Sequence, residues 1–207
     1  MSESITRYFP LLSDQQKDQL AKIKPLYDKW NSMINVVSRK DMDNFMIHHV
    51  LHSLAIGKKF IFPHGTRILD VGTGGGFPGI PLAILFPYCQ FTLLDSIEKK
   101  IKVVSAVADE LGLQNVIPVR KRVEEENTRY QFIISRAVTE FSAFVKMTEK
   151  NLEKSGKNNL KNGIIYLKGG NLVEELSPFG NRLTIWNISD FFDEPFFETK
   201  KIVYLPI

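Results

Sequence analysis

An apolar segment that runs straight into a glycine-rich turn, Arg67-Ile68-Leu69-Asp70-Val71-Gly72-Thr73-Gly74-Gly75-Gly76-Phe77-Pro78-Gly79, restricts what this chain can fold into more than any other stretch. Residues without a Cβ let the backbone turn sharply and approach a ligand closely. Pro78 then stands where a helix begins. A second apolar segment, Phe91-Thr92-Leu93-Leu94-Asp95, also ends in an acid, about 25 residues after Asp70. Strand, glycine turn, helix, strand and acid is the layout of a nucleoside-cofactor site on a doubly wound α/β sheet.

From residue 66 onward, strand-like and helix-like segments alternate. Strands are expected at about 67–71, 90–95, 116–119, 131–135 and 164–168. Helices are expected from Pro78 to before Pro87, from Ser96 to Gly112, and over roughly 139–154. A polar loop, Lys154-Ser155-Gly156-Lys157-Asn158-Asn159-Leu160-Lys161-Asn162-Gly163, precedes the fifth strand. Runs near 182–188 and 200–205 are expected to form an antiparallel edge. Alternating β and α predicts a mostly parallel sheet covered on both faces.

Ahead of the sheet, residues 10–60 read as helical. Ser13-Asp14 caps a helix carrying Leu20, Ile23 and Leu26, with Trp30, Met33 and Ile34 extending its apolar face. A second helix is expected from near Asp41, with Phe45, Val50, Leu51 and Leu54 at helical spacing. The division is a helical extension over residues 1–60 and an α/β domain over 61–207, packed as one unit. A chain of 207 residues buries enough surface to need no staple. Cys89 is the lone cysteine, which excludes an internal disulfide and fits a reducing cytoplasm. The start of the chain carries no secretory pattern, and no apolar run approaches the ~20 residues that span a bilayer. Net charge is +4, a mild pointer to an anionic partner such as RNA.

Gly74 to Gly79 satisfies G-x-G-x-x-G, the dinucleotide fingerprint. Asp70 weighs against a dinucleotide, because an acid beside the turn repels a pyrophosphate lying on the helix N-terminus. S-adenosyl-L-methionine has no phosphate and carries a sulfonium and an ammonium group, which a carboxylate helps. Asp95 suits the ribose hydroxyls of either cofactor. As an alternative, Asp70 is simply a helix cap.

The loop after strand four, Ile133-Ile134-Ser135-Arg136-Ala137-Val138, often receives the methyl acceptor in such folds. It lacks the Asn/Asp-Pro-Pro-aromatic motif of amino methylation. Cys89 lies at the wrong end of the sheet to attack a pyrimidine carbon. A ring nitrogen such as guanine N7 has a free lone pair and needs no general base, so placement supplies much of the rate. Arg136 is a candidate for positioning, through a phosphate or the cofactor carboxylate. Arg120-Lys121-Arg122, Lys99, Lys100 and Lys102 are candidates to hold an RNA backbone. Val123-Glu124 falls where a cofactor adenine would lie. His48, His49 and His52 have no further ligand at normal spacing, so no metal is expected.

Several pieces in order over about two-thirds of the chain resemble the bacterial small-subunit rRNA (guanine-N(7))-methyltransferase family, RsmG or GidB. They are Asn35-Val36-Val37-Ser38, His49-Val50-Leu51-His52-Ser53-Leu54, Asp70-Val71-Gly72-Thr73-Gly74 continuing into Phe77-Pro78-Gly79-Ile80-Pro81-Leu82, Leu94-Asp95-Ser96, Arg122-Val123-Glu124, Ser135-Arg136-Ala137 and Lys168-Gly169. Relatives often have Asn-Leu-Thr at Asn35-Val36-Val37 and Asp at His52. The resemblance implies a class I S-adenosylmethionine-dependent methyltransferase fold, Rossmann-like, with a mostly parallel seven-stranded sheet and an N-terminal helical extension. It implies methylation of guanine N7 in 16S rRNA, as free RNA or in the small ribosomal subunit. By the same resemblance Gly72, Phe77, Val123, Glu124 and Arg136 contact the cofactor and Asp95 lies near the ribose; from its charge, Asp70 with the glycine turn, Gly74 included, is expected to hold the methionine end. A cytoplasmic monomer is expected. An NAD-dependent oxidoreductase and a noncatalytic RNA-binding module remain as alternatives.

Overall fold

Two helices, α1 (Glu3–Tyr8) and α2 (Asp14–Met33), lead the chain in a computed structural model that describes residues 3–136, 138–154 and 160–207. Ala137 and residues 155–159 of the polar loop lie outside the described residues. Ser13 starts α2 as expected: its hydroxyl accepts from Gln16 N at 3.2 Å, and Gln16 Oε1 accepts from Ser13 N at 2.9 Å. This reciprocal box satisfies two N–H groups that a helix start leaves orphaned. Leu20, Ile23 and Tyr27 form the buried stripe of α2. Met33, expected on that stripe, is 60% exposed, because the chain turns extended at Ile34.

The second N-terminal helix differs from expectation in form. Asp41 sits in a tight 3₁₀ turn, Arg39–Asp41, and the helix begins only at Met46. Met46–Leu51 is wound as a π-helix and runs on into α3 (His52–Leu54) and a 3₁₀ turn, Ala55–Lys58. Phe45, Val50, Leu51 and Leu54 are all buried, as their spacing implied. Wider winding of this kind is frequent at functional sites.

The sheet follows as β1 (Arg67–Val71), α4 (Gly79–Leu85), β2 (Gln90–Asp95), α5 (Glu98–Glu110), β3 (Val116–Arg120), β4 (Phe132–Arg136), α6 (Phe141–Thr148), β5 (Gly163–Gly169), α7 (Val173–Leu176), β6 (Thr184–Asn187) and β7 (Lys200–Pro206). Its seven strands lie in the order β3-β2-β1-β4-β5-β7-β6. β1 pairs in parallel with β2 and β4, while β7 runs antiparallel between β5 and β6. Pro118 is tolerated because β3 is an edge strand, where a missing N–H breaks no second ladder. Helix α6 is shorter than the expected 139–154. Glu140 caps it through Ser142 N and Ala143 N, and Leu152 already bridges to Tyr130 in extended form.

Both faces of the sheet are covered. One apolar cluster joins Ile68, Phe91 and Ile134 to α4, α5 and the N-terminal residues Ile5, Leu20, Tyr27, Phe45 and Leu54. The other joins Leu69, Ile133 and Tyr166 to α6 and α7. Burying one such aromatic or aliphatic side chain is worth ~1.5–3 kcal/mol, so the N-terminal helices are held by the same core as the sheet. No helix among the described residues is long and apolar enough to cross a membrane.

Candidate active site

The chain leaves β1 for α4 and β4 for α6 on opposite sides of the sheet, so a crevice opens between the C-terminal ends of β1 and β4. Open α/β sheets bind ligands at this switch in strand order. A cavity of about 470 Å³ lies there, and its walls include Gly72, Asp95, Val123, Glu124, Arg136, Val138 and Met147. Five expected residues therefore converge on it: Gly72, Asp95, Val123, Glu124 and Arg136. Asp70, Gly74 and Phe77 are not in its wall. A larger hollow, about 710 Å³, opens at the opposite end of the sheet near Gly65, Gln131 and Asn162. That is the N-terminal end of the strands, away from the glycine turn.

Alternation along β1 puts Asp70 on the same face as Ile68, beneath the start of α4. Asp70 is fully buried, and its Oδ2 accepts from Thr73 Oγ1 at 2.6 Å and from Gly79 N at 2.8 Å. The carboxylate braces the turn in place of lining the cavity, which is the helix-cap alternative. Its buried Oδ1 has no hydrogen-bond partner among the described residues. Burial pushes the Asp70 carboxyl up to about 7, against the hydrogen bonds from Thr73 and Gly79.

Gly72 forms the lip of the cavity with φ of +67°, a conformation L side chains rarely adopt. A Cβ here would stand 2.6 Å from Val138 Cγ2. Gly74 faces inward through its backbone: its N–H donates to Asp95 Oδ2 at 3.0 Å. Asp95 Oδ1 accepts from Ile97 N at 2.9 Å, and Lys100 Nζ lies 3.7 Å from Oδ2. The acid at the end of β2 is thus pinned by two backbone donors and keeps spare lone pairs on both oxygens. Val123 is buried and opens a tight turn over Val123–Glu125, while Glu124 is exposed. Leu94, Val123 and Met147 add apolar surface to the cavity wall.

Phe77 is buried behind the turn against Tyr27, Phe45 and His49. The Arg136 guanidinium lies 5.5 Å from its ring centre, so Phe77 reaches the cavity through Arg136. Burial lowers the Arg136 pKa, and the charges of Asp70 and Asp41 oppose that. Three contributors gave no local signal in the sequence. Tyr27, on α2, donates its hydroxyl to the Gly75 carbonyl. Asp41 accepts from His48 Nδ1 and His49 Nε2, each at 2.5 Å. Met147, a lone methionine on α6, lines the cavity.

His52 is buried beside Phe196 and Phe197, and its Nε2 has no hydrogen-bond partner among the described residues. No group of His, Cys, Asp or Glu suited to a metal exists among the described residues. Cys89 is buried just before β2, and burial pushes its thiol up to about 11, far from a nucleophile's range. Of the basic residues, Arg120 and Lys102 pair with Glu98, and Lys121 pairs with Glu126. Lys100, Lys121 and Arg122 stand at the cavity itself, and Lys99 is exposed on α5.

A sequence profile of the family described as GidB, rRNA small subunit methyltransferase G, matches residues 16–192. The ribosomal RNA small subunit methyltransferase G of Parabacteroides distasonis is 52% identical over 98% of this chain and 88% of its own. Its namesake from Flavobacterium psychrophilum is 53% identical over 99% of this chain and 98% of its own. Among solved structures, a SAM dependent methyltransferase from Aquifex aeolicus superposes with a TM-score of 0.57 at 13% identity, over 83% of this chain and 100% of that one. Aeropyrum pernix fibrillarin with natively bound S-adenosyl-L-methionine superposes with a TM-score of 0.53 at 14% identity, over 75% of this chain and 73% of that one. At such identities these two speak for the fold, a class I methyltransferase. The nicotinamide reading of G-x-G-x-x-G gives way to the family match. The Gly79 N–H at the start of α4 is already taken by Asp70, which removes one donor from the turn. With the profile spanning most of the chain and half-identical relatives aligned nearly end to end, the chain belongs to the rRNA small subunit methyltransferase G (GidB) family.

Proposed function

We propose that this protein transfers a methyl group from S-adenosyl-L-methionine to ring nitrogen 7 of a guanine in 16S rRNA. The convergence of Gly72, Asp95, Val123, Glu124 and Arg136 on one cavity at the strand-order switch carries this reading. Family membership names the reaction class and the rRNA; guanine and its N7 rest on the resemblance of the motifs. On this view residues 1–60 form an extension packed as one unit with the methyltransferase domain of 61–207. The protein works as a cytoplasmic monomer without a metal.

The residues present fit the cofactor. The pinned Asp95 carboxylate offers acceptors for vicinal ribose hydroxyls, and the apolar side at Leu94, Val123 and Met147 suits an adenine face. Gly72 keeps the lip open where any side chain would strike Val138. Asp70 acts at the methionine end indirectly, through the turn that its Oδ2 braces at Thr73 and Gly79. When bound, the cofactor supplies an electrophilic methyl on a sulfonium. Guanine N7 attacks with a lone pair that is free at neutral pH, so the chain's residues have no proton to remove. Their work is placement, and in-line alignment of two bound partners supplies most of the acceleration. Arg136, Arg122, Lys100 and Lys121 surround the cavity with positive charge for the cofactor carboxylate and the RNA phosphates.

The test is incubation of the purified protein with radiolabelled S-adenosyl-L-methionine and small-subunit rRNA lacking the modification, as naked RNA and as particles. Label on a single guanine, cleavable with borohydride and aniline, is the expected result. Cofactor binding with no label on either form sends the search to another acceptor. RNA binding that needs no cofactor, with no transfer, favours the noncatalytic RNA-binding module.

A further inference from the structure

Arg136 reaches the cavity from the end of β4, yet its side-chain hydrogen bonds to the described residues lead into the N-terminal segment. Nη1 donates to the His48 carbonyl at 3.1 Å and Nη2 to His49 Nδ1 at 2.9 Å. A guanidinium has only donors, so His49 Nδ1 is a bare acceptor and Nε2 carries the ring proton. Nε2 lies 2.5 Å from Asp41 Oδ2, which accepts that proton's hydrogen bond. The other Asp41 oxygen accepts from His48 Nδ1 at 2.5 Å, which fixes the carboxylate in place. The His48 ring in turn stacks on Phe196 at 3.8 Å.

Every link in this chain is polarised the same way. Burial, joined by Arg136, holds the His49 imidazole at about 4 and therefore neutral, although Asp41 pulls the other way. Burial raises the Asp41 carboxyl, but hydrogen bonds from both histidines outweigh it and keep Asp41 ionised. The carboxylate's charge is delivered to the guanidinium through a neutral ring locked in one tautomer. Two of the guanidinium's five N–H donors are spent on the N-terminal segment, and among the described residues the other three have no partner and are left for a ligand.

We propose that Asp41 and His49 are positioning residues, fixing the Arg136 guanidinium so that its remaining donors meet an oxyanion in the cavity. This rests on the cavity being the cofactor and substrate site. The oxyanion is either the cofactor's carboxylate or an RNA phosphate, and separate binding measurements tell them apart. The N-terminal segment then completes the cavity in addition to covering the core.

The experiment compares R136A, H49A, H49N and D41N with the parent protein. It measures calorimetric affinity for S-adenosyl-L-methionine, affinity for unmodified small-subunit rRNA, and thermal melting. R136A and H49A are expected to weaken the same ligand by about ten- to a hundredfold, the worth of one hydrogen bond to a charged group. H49N places an amide oxygen where Nδ1 stood, and recovery to within about threefold is expected. D41N is expected to fall between. Nitrogen-15 spectra of the parent protein at pH 7 should show the His49 proton on Nε2. If R136A weakens binding while H49A does not, the relay is refuted and the cavity reading stands. If the parent protein binds no S-adenosyl-L-methionine, the cavity reading fails first. A proton on Nδ1, or H49N as impaired as a folded H49A, overturns the proposal whatever the variants' stability.

Discussion

Replacing Gly72 by alanine tests the lip of the cavity with one methyl group. Two costs add. The backbone sits at φ of +67°, and holding a residue with a Cβ there costs ~1–2 kcal/mol. The new methyl would also stand 2.6 Å from Val138 Cγ2, and forcing an extra carbon into packed surroundings costs ~1–3 kcal/mol. The sum is about 2–5 kcal/mol, or a melting temperature lower by roughly 4–20 °C for a chain of this size. The two costs separate in a double-mutant cycle with V138A, because truncating Val138 removes the clash and leaves the backbone cost. Thermal unfolding gives the stabilities, and calorimetry with S-adenosyl-L-methionine gives the affinity. G72A is expected to lose affinity, with V138A restoring part of the stability. G72D adds a charge at the same lip and is expected to abolish binding in a folded protein. A G72A variant that melts with the parent and binds the cofactor equally well would refute both the strain and the lip.

Other outcomes are expected from the same geometry. Y27F removes the hydroxyl that holds the Gly75 carbonyl; it should cost ~0.5–1.5 kcal/mol in denaturant unfolding, and no change would mean the turn is held without α2. Asp70 titrates higher folded, at about 7, than unfolded, near 4, so the protonated form contributes stability that is lost as pH rises from about 4 through about 7. D70N does not titrate, so the ligand-free parent should lose melting temperature relative to it by up to roughly 3–6 °C per pH unit between pH 5 and 7. Parallel melting profiles would show that Asp70 titrates normally. R122A removes an exposed cation at the cavity rim, and the salt dependence of rRNA binding should flatten by about one counterion in the slope; an unchanged slope would place the RNA elsewhere.

Strands β1 and β2 begin and end where the sequence places them, at Arg67–Val71 and Gln90–Asp95, because apolar runs there are bounded by glycine, proline and acids that stop a strand on their own. The start of α2 at Ser13 was equally local, a cap and its partner three residues apart. The fold class and the pairing of the Gly72 turn with Asp95 follow from such short-range signals. Regions governed by long-range contact are less legible. The helix after Asp41 is wound wide, and Asp41 itself is drawn off to bind two histidines. Asp70 looked like a ligand because it ends a strand beside a glycine turn; which of its neighbours reach its oxygens depends on where α4 lands.

The sequence alone thus determined the sheet, the turn and the crevice at the strand-order switch, since these depend on residue types a few positions apart. Tertiary structure decided which side chains face that crevice. It brought Arg136 against His48 and His49, some 87 positions earlier in the chain, and put Met147 and Asp95 into the wall of one cavity. Contacts between such distant residues carry no periodicity or spacing to read; only the packing of the N-terminal helices on the sheet fixes their distances and hence their chemistry.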